Sequence, residues 1–419
     1  MEKMSLWILT IIYVMMLNPS TSHAQSILER AKQKIKQRAD AKVDKALDKS
    51  LDKVEKDTKI KNADSTKEGT STPALAYNSK YDFVPGEKTM AFEDFSKTEI
   101  GDFPTRWNTN STAEVVTLNS KEGKWLKISK EGVFHPEFIT NLPDNFTLEF
   151  DLGVNNEFNA SPFVLNIANL KKPEDFNYYY YQVDWKGDYA IHLQFRPLIQ
   201  SGAQGMSSII AGKNGNHVLN NDVAFKVWDN TKNTFAHIAL WRQNHRLRVY
   251  MNGEKVWDIP RAFDSESKFN AITMAMRGSY NQDNYYLVNN IRLAVGAPDT
   301  RNKLVTEGKF VTRGILFDVN SDRIKPESSG SLKDIANVLK ENTDIKVKIV
   351  GHTDADGDDK TNLALSEKRA AAVKSILVKE YGVSGNNLIT EGKGESDPAD
   401  KNVTAEGKAN NRRVEFIKM

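Results

Sequence analysis

The chain has 419 residues, 39% of them hydrophobic, which is enough apolar material for two or three domains. Its formal net charge of +3 excludes the strongly basic field of a typical nucleic-acid-binding protein, so no nucleic-acid partner is expected. It contains no cysteine, which excludes disulfides, thiolate metal sites and a lipid-modified cysteine at the start of a mature chain.

Residues 1–24 have the features of a secretory signal. Lys3 gives the positive start, residues 6–17 form an apolar core, and the sequence Ser-His-Ala at 22–24 gives the small-x-small pattern of a cleavage site. The apolar run is shorter than a bilayer-spanning helix requires. We therefore predict cleavage before Gln25 and secretion, with an uncleaved membrane anchor as the alternative.

Two segments precede the first globular domain. Residues 25–63 are strongly charged, and Val43, Leu47 and Leu51 recur there at helical spacing, which predicts a charged amphipathic helix. A solvated stalk, a self-associating coil and a basic segment held at an anionic surface remain open for this helix. Residues 64–80 are rich in serine, threonine, lysine and glycine, which predicts a flexible linker.

Residues 81–298 carry strand signals throughout and predict an all-β sandwich. Phe146, Leu148 and Phe150 alternate with polar residues, as in a half-buried strand. The segment 235–254 predicts a hairpin followed by an Asn-Gly turn. This segment resembles the back-sheet hairpin of concanavalin-A-like (laminin-G-like) jelly rolls, and the resemblance implies a jelly roll here.

Two acids on one predicted strand bear on whether the sandwich is an enzyme. Some glucanases of this fold carry the pattern Glu-x-Asp-x-x-Glu, which supplies the acid pair for retaining hydrolysis. Here Glu149 and Asp151 are followed by Val154 where the last acid would stand. We therefore predict no catalytic residue and no enzymatic activity, and we expect Glu149 and Asp151 on the solvent side of the strand.

A glycan or a protein remains a candidate ligand of the sandwich. Aromatic side chains can stack on sugar rings, although most aromatic residues of a sandwich belong to its core. Core packing is therefore the alternative role for each candidate. The candidates are Trp185, Trp228, Trp241 and the tyrosines at 178–181.

The remainder of the chain predicts a connector, residues 299–313, and an α/β domain, residues 314–419. Alternating strands and helices in this domain favour helices packed on a mixed sheet. The predicted order is βαβαββ, with strands at 314–317, 345–350, 388–391 and 413–417 and helices at 326–340 and 360–381.

The stretch that starts at Gly351 places an acid, Asp354, at the end of an apolar strand and a base, Arg369, on the next helix. Asp354 can accept an ammonium group and Arg369 can bind a carboxylate with two parallel hydrogen bonds, so the pair suits a zwitterionic ligand end. Asn362 and Ser366 share a helix face with Arg369. The alternatives are that Asp354 caps the helix and that Arg369 pairs with a surface acid.

A series of motifs in a fixed order marks the C-terminal domain: Ile315-Leu316-Phe317-Asp318 with Ser321, then Asp354, Gly357, Asn362, Leu365-Ser366 and Arg369-Ala370, then Gly392-Lys393-Gly394-Glu395-Ser396, and finally Asn411-Arg412-Arg413-Val414-Glu415. In this order and spacing they resemble the OmpA-like peptidoglycan-binding domain. The resemblance implies non-covalent binding of the diaminopimelate side chain of the peptidoglycan stem peptide through Asp354 and Arg369, without catalysis. It places Arg412 beside the ligand, with simple acid pairing as the alternative, and Thr353 and Asn362 would orient the pair or contact the ligand.

The acids at 354, 356, 358 and 359 also suggest a calcium site, but their spacing does not fit the EF-hand loop, because no glutamate closes it and the glycine falls too early. The histidines are scattered, and the sequence shows no nucleophile elbow or phosphate loop. No metal and no cofactor are therefore expected. Gly357 is expected to supply a loop position where a positive φ costs little.

Together, these features predict a secreted, multidomain, non-enzymatic protein of the Gram-negative periplasm that binds peptidoglycan and is associated with the outer membrane. That association would come through a partner or through the charged helix at 25–63. One alternative is a glycan-active enzyme or carbohydrate-binding protein in which the sandwich carries the activity and the C-terminal domain is a tether. Another is a scaffold assembled by the N-terminal helix.

Overall fold

The computed structural model describes residues 82–419 except 157, 159–161, 180–187, 198–204, 214–215, 229–233, 278–282, 297–299 and 301. The predicted signal segment, charged helix and linker lie outside the described residues, as do Tyr180, Tyr181 and Trp185. Among the residues described, no helix combines the length and the apolar character needed to cross a bilayer.

The central domain consists of short strands arranged in two sheets. One sheet, called sheet I, has the order β13-β12-β11-β6-β15-β4-β3, with β1 also paired to β15. The other, sheet II, has the order β10-β9-β8-β7-β14-β5-β2. In chain order the strands are β1 Lys88–Glu93, β2 Trp107–Thr109, β3 Ala113–Thr117, β4 Lys124–Ile128, β5 Gly132–Pro136, β6 Asn145–Val154, β7 Phe163–Ala168, β8 Ala190–Arg196, β9 Gly205–Lys213, β10 Asn216–Phe225, β11 Phe235–Gln243, β12 Arg246–Met251, β13 Glu254–Ile259, β14 Ala271–Met276 and β15 Tyr286–Val295.

The inner faces of the two sheets share one apolar core. Along β6, the alternating residues Phe146, Leu148 and Phe150 are at most 2% exposed. Phe150 contacts Phe163 of β7 in sheet II, with the ring centroids 6.0 Å apart. Two antiparallel sheets packed face to face in this way form a sandwich, as the alternation predicts. The finer jelly-roll topology stays a prediction.

The predicted hairpin in sheet I is confirmed. Strands β11 and β12 pair from Ile238 opposite Met251 to Gln243 opposite Arg246. In the turn that follows β12, Asn252 has a φ of 48° and Gly253 a φ of 82°. Tight hairpin turns of this kind need a positive φ at both central residues, which Asn-Gly adopts at little cost.

The C-terminal domain is a mixed sheet with helices between its strands. The sheet order is β16-β19-β17-β18, in which β17 and β18 are parallel and joined by helix α2. The strands β17, β18 and β19 and the helices α1 and α2 lie within three residues of their predicted bounds. The elements are β16 Lys309–Thr312, α1 Ser329–Glu341, β17 Val347–Gly351, α2 Asp359–Lys379, β18 Leu388–Gly392, α3 Ala405–Asn411 and β19 Val414–Lys418.

The first strand of this sheet lies earlier in the chain than predicted. It is β16, at Lys309–Thr312, whereas the predicted strand 314–317 contributes one isolated bridge. Phe310 is 2% exposed, and its ring centroid lies 6.3 Å from that of Phe416. The segment predicted as a connector therefore supplies part of the core of the C-terminal domain, because Phe310 gives it an apolar inward position.

Helix α3 is absent from the prediction because its sequence gives no hydrophobic periodicity. Its seven residues, AEGKANN, include no large apolar side chain. The helix begins after Thr404, whose hydroxyl accepts a hydrogen bond from the N–H of Gly407 at 3.0 Å. A helix this short depends on contacts from outside for its position.

Residues 82–87, which precede β1, lie between the outer face of sheet I and the C-terminal domain. On the side of the sheet, Arg292 of β15 donates a hydrogen bond from Nη2 to the carbonyl of Gly86 at 3.2 Å. On the side of the C-terminal domain, helix α1 approaches so closely that a Cβ on Gly330 would lie 2.0 Å from the carbonyl oxygen of Phe83. This segment therefore covers part of the outer face of sheet I.

The covering segment changes the environment of Glu149 and Asp151, for which we predicted a solvent-facing position. Glu149 is 3% exposed, and its Oε1 lies 3.2 Å from Arg292 Nη1. Asp151 is partly exposed, lies 2.8 Å from His237 Nδ1, and accepts a hydrogen bond from Asn290 Nδ2 at 2.6 Å. The prediction for Glu149 is wrong because alternation shows which face of a strand is polar but not what covers that face.

Candidate functional site

Asp354 lies just beyond strand β17, in a segment fixed by backbone hydrogen bonds. The N–H of His352 donates to the carbonyl of Arg413 at 3.0 Å, and the N–H of Thr353 donates to the carbonyl of Gly394 at 2.9 Å. Thr353 and Asp354 are 4% and 8% exposed. The predicted position of an acid at the end of an apolar strand is confirmed.

A different acid, Asp358, caps helix α2. Its carboxylate accepts hydrogen bonds from the N–H of Thr361 at 2.9 Å and from the Thr361 hydroxyl at 2.6 Å. These bonds hold the pKa of Asp358 below its usual value. Gly357, in the same loop, has a φ of 101°, as expected. Asp354 is therefore not the cap of α2, and its carboxylate remains for another role.

The carboxylate of Asp354 pairs with Arg412. Arg412 Nη1 lies 2.5 Å from Asp354 Oδ2, and the two side chains are 36% and 12% exposed, respectively. Among the residues that the structure describes, the other oxygen, Oδ1, accepts only a long hydrogen bond of 3.3 Å, from the N–H of Asp356. Because a carboxylate has several acceptor positions, Oδ1 retains capacity for a ligand donor.

Asn362 connects helix α2 to the loop that carries Asp354. It is 5% exposed. Its Nδ2 lies 3.3 Å from the carbonyl oxygen of Asp354, 3.0 Å from that of Asp356 and 2.5 Å from Glu395 Oε2. These contacts position the loop, while direct contact of Asn362 with a ligand stays a prediction. No role was predicted for Glu395, and its place in the Gly-Lys-Gly-Glu-Ser motif was the available signal.

Helix α2 approaches the sheet closely at Ser366. A Cβ on Gly351 would lie 2.4 Å from the carbonyl oxygen of Ser366, and one on Gly392 would lie 2.6 Å from its Oγ. The Ser366 Oγ accepts a hydrogen bond from the N–H of Gly394 at 2.8 Å. The two strand-end glycines thus let α2 bring its polar face against the loop.

Arg369, one turn further along α2, is half-buried and held by backbone carbonyls. Its Nε donates to Ser321 O at 2.9 Å, and its Nη2 donates to Asp318 O at 3.3 Å. Its guanidinium lies 4.8 Å from the centroid of the Phe317 ring. In the described part of the chain no acidic side chain forms an ion pair with Arg369, so neither the surface pairing considered above nor a direct contact with Asp354 is present.

The charges of the site nevertheless act on one another. Burial lowers the pKa of Arg369 and the neighbouring charge of Arg412 lowers it further, while the charges of Asp354 and Asp322 oppose the change. The site thus holds two guanidinium groups near Asp354, with Asp322 as a second acid whose charge acts less strongly on Arg369. An excess of positive charge in a partly buried site favours an anionic group of a ligand.

Arg412 is positioned by helix α3 and by the sandwich. Its N–H donates to the carbonyl of Lys408 at 3.0 Å, which ends the helix. Its guanidinium carbon lies 5.2 Å from the centroid of the Phe92 ring, on strand β1. The motif at the end of the sequence indicated Arg412, whereas no local signal indicated Phe92.

Two buried polar side chains beside Asp354 lack hydrogen-bond partners within the described residues. They are Thr353, through Oγ1, and His352, through both ring nitrogens. His352 Nε2 lies 3.7 Å from Glu415 Oε1. Buried polar atoms in this state cost free energy, so such atoms need an explanation where they occur. The sequence indicated Thr353 but not His352.

The aromatic residues of the sandwich that were considered for stacking on sugar rings differ in their exposure to solvent. Trp228 is 0% exposed and belongs to the core, so its suggested contact with a glycan is wrong. Trp241 packs edge-on against Phe83, with ring centroids 6.2 Å apart. Tyr178 is 45% exposed, whereas Tyr179 is 7% exposed. Of these four described aromatics considered for stacking, Tyr178 is the most exposed to solvent.

Comparison with known proteins assigns part of the chain. Residues 316–412 match the OmpA family. The outer membrane porin F of Pseudomonas aeruginosa is 42% identical over 111 residues, which are 26% of this chain and 32% of that protein. The probable lipoprotein YiaD of Escherichia coli is 38% identical over 127 residues, which are 28% of this chain and 58% of that protein. The chain therefore spans about a third of the first relative and somewhat more than half of the second.

The peptidoglycan-associated lipoprotein from Burkholderia pseudomallei is 28% identical, and the match covers 25% of this chain and 88% of that chain, with a TM-score of 0.24.

Proposed function

Because residues 316–412 form a domain of the OmpA family, we propose that this chain binds peptidoglycan non-covalently through Asp354, Arg369 and Arg412. The observation that carries the proposal is the state of Arg369. It is half-buried, it lies near a second arginine, and no acidic side chain among the described residues pairs with it. A carboxylate of the ligand would supply the missing negative charge.

The chemistry of the site fits a ligand end that carries both an ammonium group and a carboxylate. Asp354 Oδ1 has capacity for an ammonium donor, because its hydrogen bond from Asp356 is long. Arg369 donates hydrogen bonds from Nε and from one Nη2 hydrogen to backbone carbonyls, so its remaining N–H groups are available to a carboxylate. The side-chain end of diaminopimelate in the peptidoglycan stem peptide carries both groups on one carbon, and it is the ligand we propose.

We further propose that the chain acts as a binding protein rather than an enzyme. Glu149 and Asp151, the acids nearest to a glucanase pattern, are engaged by Arg292 and His237. We place the protein in the periplasm, associated with the outer membrane through a partner or through its N-terminal segment. This placement is supported by the secretory pattern of residues 1–24 and by the naming of a relative as an outer membrane protein.

Co-sedimentation with purified peptidoglycan sacculi tests the proposed function. Asp354→Ala and Arg369→Ala each remove one partner of a charged contact, so each should weaken binding by about 2–5 kcal/mol, which is about thirtyfold or more. Lys368→Ala changes an exposed cation next to Arg369 and is the matched control, which should sediment like the wild type. Wild-type retention of both site variants on sacculi would overturn the proposal.

A further inference from the structure

We infer that the sandwich completes the ligand site of the C-terminal domain, because strand β1 positions Arg412 through Phe92 and helix α3. Phe92 is a positioning residue, since it acts on the ligand through Arg412. The inference rests on the proposed function and extends it, because it makes the central domain part of the wall-binding apparatus.

The guanidinium of Arg412 is held from two sides. Asp354 Oδ2 lies 2.5 Å from Nη1, and the Phe92 ring centroid lies 5.2 Å from the guanidinium carbon. Phe92 is 8% exposed, so the ring is largely withdrawn from water. A cation near an aromatic ring is attracted by the ring quadrupole, and the attraction grows as the contact is desolvated. Without the ring, Arg412 would keep one fixed contact and gain rotamer freedom.

Helix α3, which carries Arg412 at its end, is attached to the sandwich near both of its ends. Near its C-terminus, Asn410 Oδ1 accepts a hydrogen bond from the N–H of Thr89 at 3.0 Å, and Asn410 Nδ2 donates to the Thr89 carbonyl at 3.2 Å. Near its N-terminus, Arg106 donates to Glu406 Oε1 at 3.0 Å. The paired bonds of Asn410 hold α3 in a fixed register along strand β1.

The composition of α3 makes these contacts important. The helix has seven residues and no large apolar side chain, so it cannot be fixed by hydrophobic packing on its own domain. The C-terminal domain contributes the cap from Thr404 and a hydrogen bond from Arg313 Nε to the Asn410 carbonyl at 2.9 Å. That domain also binds the side chains of Asn411, through Asp400 and Asn402, and of Lys408, through Asp356. The sandwich adds the bonds to the side chains of Asn410 and Glu406, and Arg412 follows the helix directly.

Neighbouring positive charges explain why Arg412 needs such constraints. Burial lowers the pKa of Arg292 in sheet I; Glu149 opposes that change, and the charge of Arg412 adds to it. Arg369 experiences the same repulsion from Arg412. An unrestrained Arg412 would therefore move towards solvent. Held by Phe92 and Asp354, it keeps the positive potential of the site available to a ligand carboxylate.

Docking of the sandwich and binding of the ligand are consequently linked. A ligand that binds the docked arrangement better than the undocked one stabilises docking. By linkage, loss of docking lowers the affinity for the ligand by the same factor.

Calorimetric titration of the full chain with a soluble muropeptide ending in meso-diaminopimelate tests the inference. Phe92→Ala should weaken binding about three- to thirtyfold, the range expected for a desolvated cation–π contact. Phe92→Tyr keeps the ring and should bind within about twofold of the wild type. Phe225→Ala is the matched control, because Phe225 is also 8% exposed but lies at the end of β10 in sheet II. It should bind like the wild type.

Phe92→Leu separates the loss of the aromatic ring from a folding defect, because leucine keeps an apolar side chain at the buried position. We expect it to weaken binding with an unchanged melting temperature. In an Arg412→Gln background, Phe92→Ala should add little, since its partner is already absent. Wild-type affinity in Phe92→Leu, or a full additional loss in the Arg412→Gln background, overturns the inference. If Asp354→Ala and Arg369→Ala lose binding in that case, the proposed function stands and only the coupling fails.

Discussion

Asp354 Oδ2 and Arg412 Nη1 lie 2.5 Å apart and form an ion pair at the edge of the site. Arg369 contributes a second guanidinium, which donates to the carbonyls of Ser321 and Asp318. Asp354 therefore pairs directly with Arg412, whereas no acidic side chain among the described residues pairs with Arg369, which leaves positive charge in excess. This imbalance is the reason to expect an anionic group from a ligand, and it separates the roles of the two arginines. Arg412 holds Asp354, and Arg369 is left for the ligand.

Asp354 and Asp358 lie in one loop but should respond differently to removal. Asp358→Ala removes the cap of helix α2, so we expect a lower melting temperature with unchanged peptidoglycan binding. Asp354→Ala should have the reverse effect, with lost binding as its main result. Thermal melting and sacculus co-sedimentation of both variants check this. Equal loss of binding in both would show that the loop acts only as a scaffold.

Arg369 should make the protein discriminate, in binding affinity, between wall peptides that differ in one carboxylate. Lysine-type stem peptides keep the amine but lack the side-chain carboxylate, so wild-type protein should bind them about tenfold or more weakly than diaminopimelate-type peptides. Arg369→Ala should bind both types about equally, because the group that reads the carboxylate is gone. Titration with the two soluble muropeptides measures this ratio. A wild-type protein that does not discriminate between them would contradict the assigned role of Arg369.

His237, on the covered face of sheet I, should give the stability a pH dependence. Burial alone would lower its pKa, but the hydrogen bond to Asp151 and the charges of Asp151, Glu327 and Glu149 raise it to about 9 from 6.5. A raised pKa contributes stability that is fully present below about pH 6.5 and is lost as the pH rises through about 9. The difference in unfolding free energy between wild type and His237→Gln should therefore be largest near pH 6 and fall to a smaller, constant value as the pH rises beyond about 9.

Chemical denaturation across this pH range measures the effect. His217→Gln, at an exposed position of β10, is the control and should match the wild type throughout. A difference for His237→Gln that stays constant from about pH 6 to about pH 10 would show that His237 carries no extra proton in the folded state.

Because helix α2 approaches the sheet closely, we expect any side chain at Gly351 to lower the free energy of unfolding. A Cβ there would lie 2.4 Å from the backbone oxygen of Ser366, so Gly351→Ala should destabilise the protein by about 1–3 kcal/mol. It should also weaken peptidoglycan binding, because α2 carries Arg369. Gly385→Ala, whose Cβ would lie 3.4 Å from Val378, is the control and should change stability by less than about 0.5 kcal/mol. Equal stability of the two variants would refute the close approach.

The features that the sequence predicted well depend on local patterns. The alternation of Phe146, Leu148 and Phe150 defines a strand face because the side-chain period of a strand is two. Asn252 and Gly253 define a turn because both tolerate a positive φ. Asp354 lies at the end of a strand because an apolar run stops before it. Each of these follows from neighbours in the chain.

The features that the sequence did not predict depend on how the two domains dock. Phe92 meets Arg412 only because strand β1 lies along helix α3, which leaves no pattern around either residue. Glu149 is buried because the segment before β1 covers the outer face of sheet I. Helix α3 itself is held by contacts such as those of Asn410 rather than by apolar periodicity.

An isosteric replacement of Asp354 tests most directly whether this residue accepts a cationic group of a peptidoglycan ligand. Asp354→Asn keeps the shape of the side chain and removes its charge. Isothermal titration with a soluble meso-diaminopimelate muropeptide should show saturable binding of one ligand per wild-type chain and a loss of tenfold or more in Asp354→Asn. Saturable binding of equal strength by the two proteins, or none by the wild type, would contradict the account.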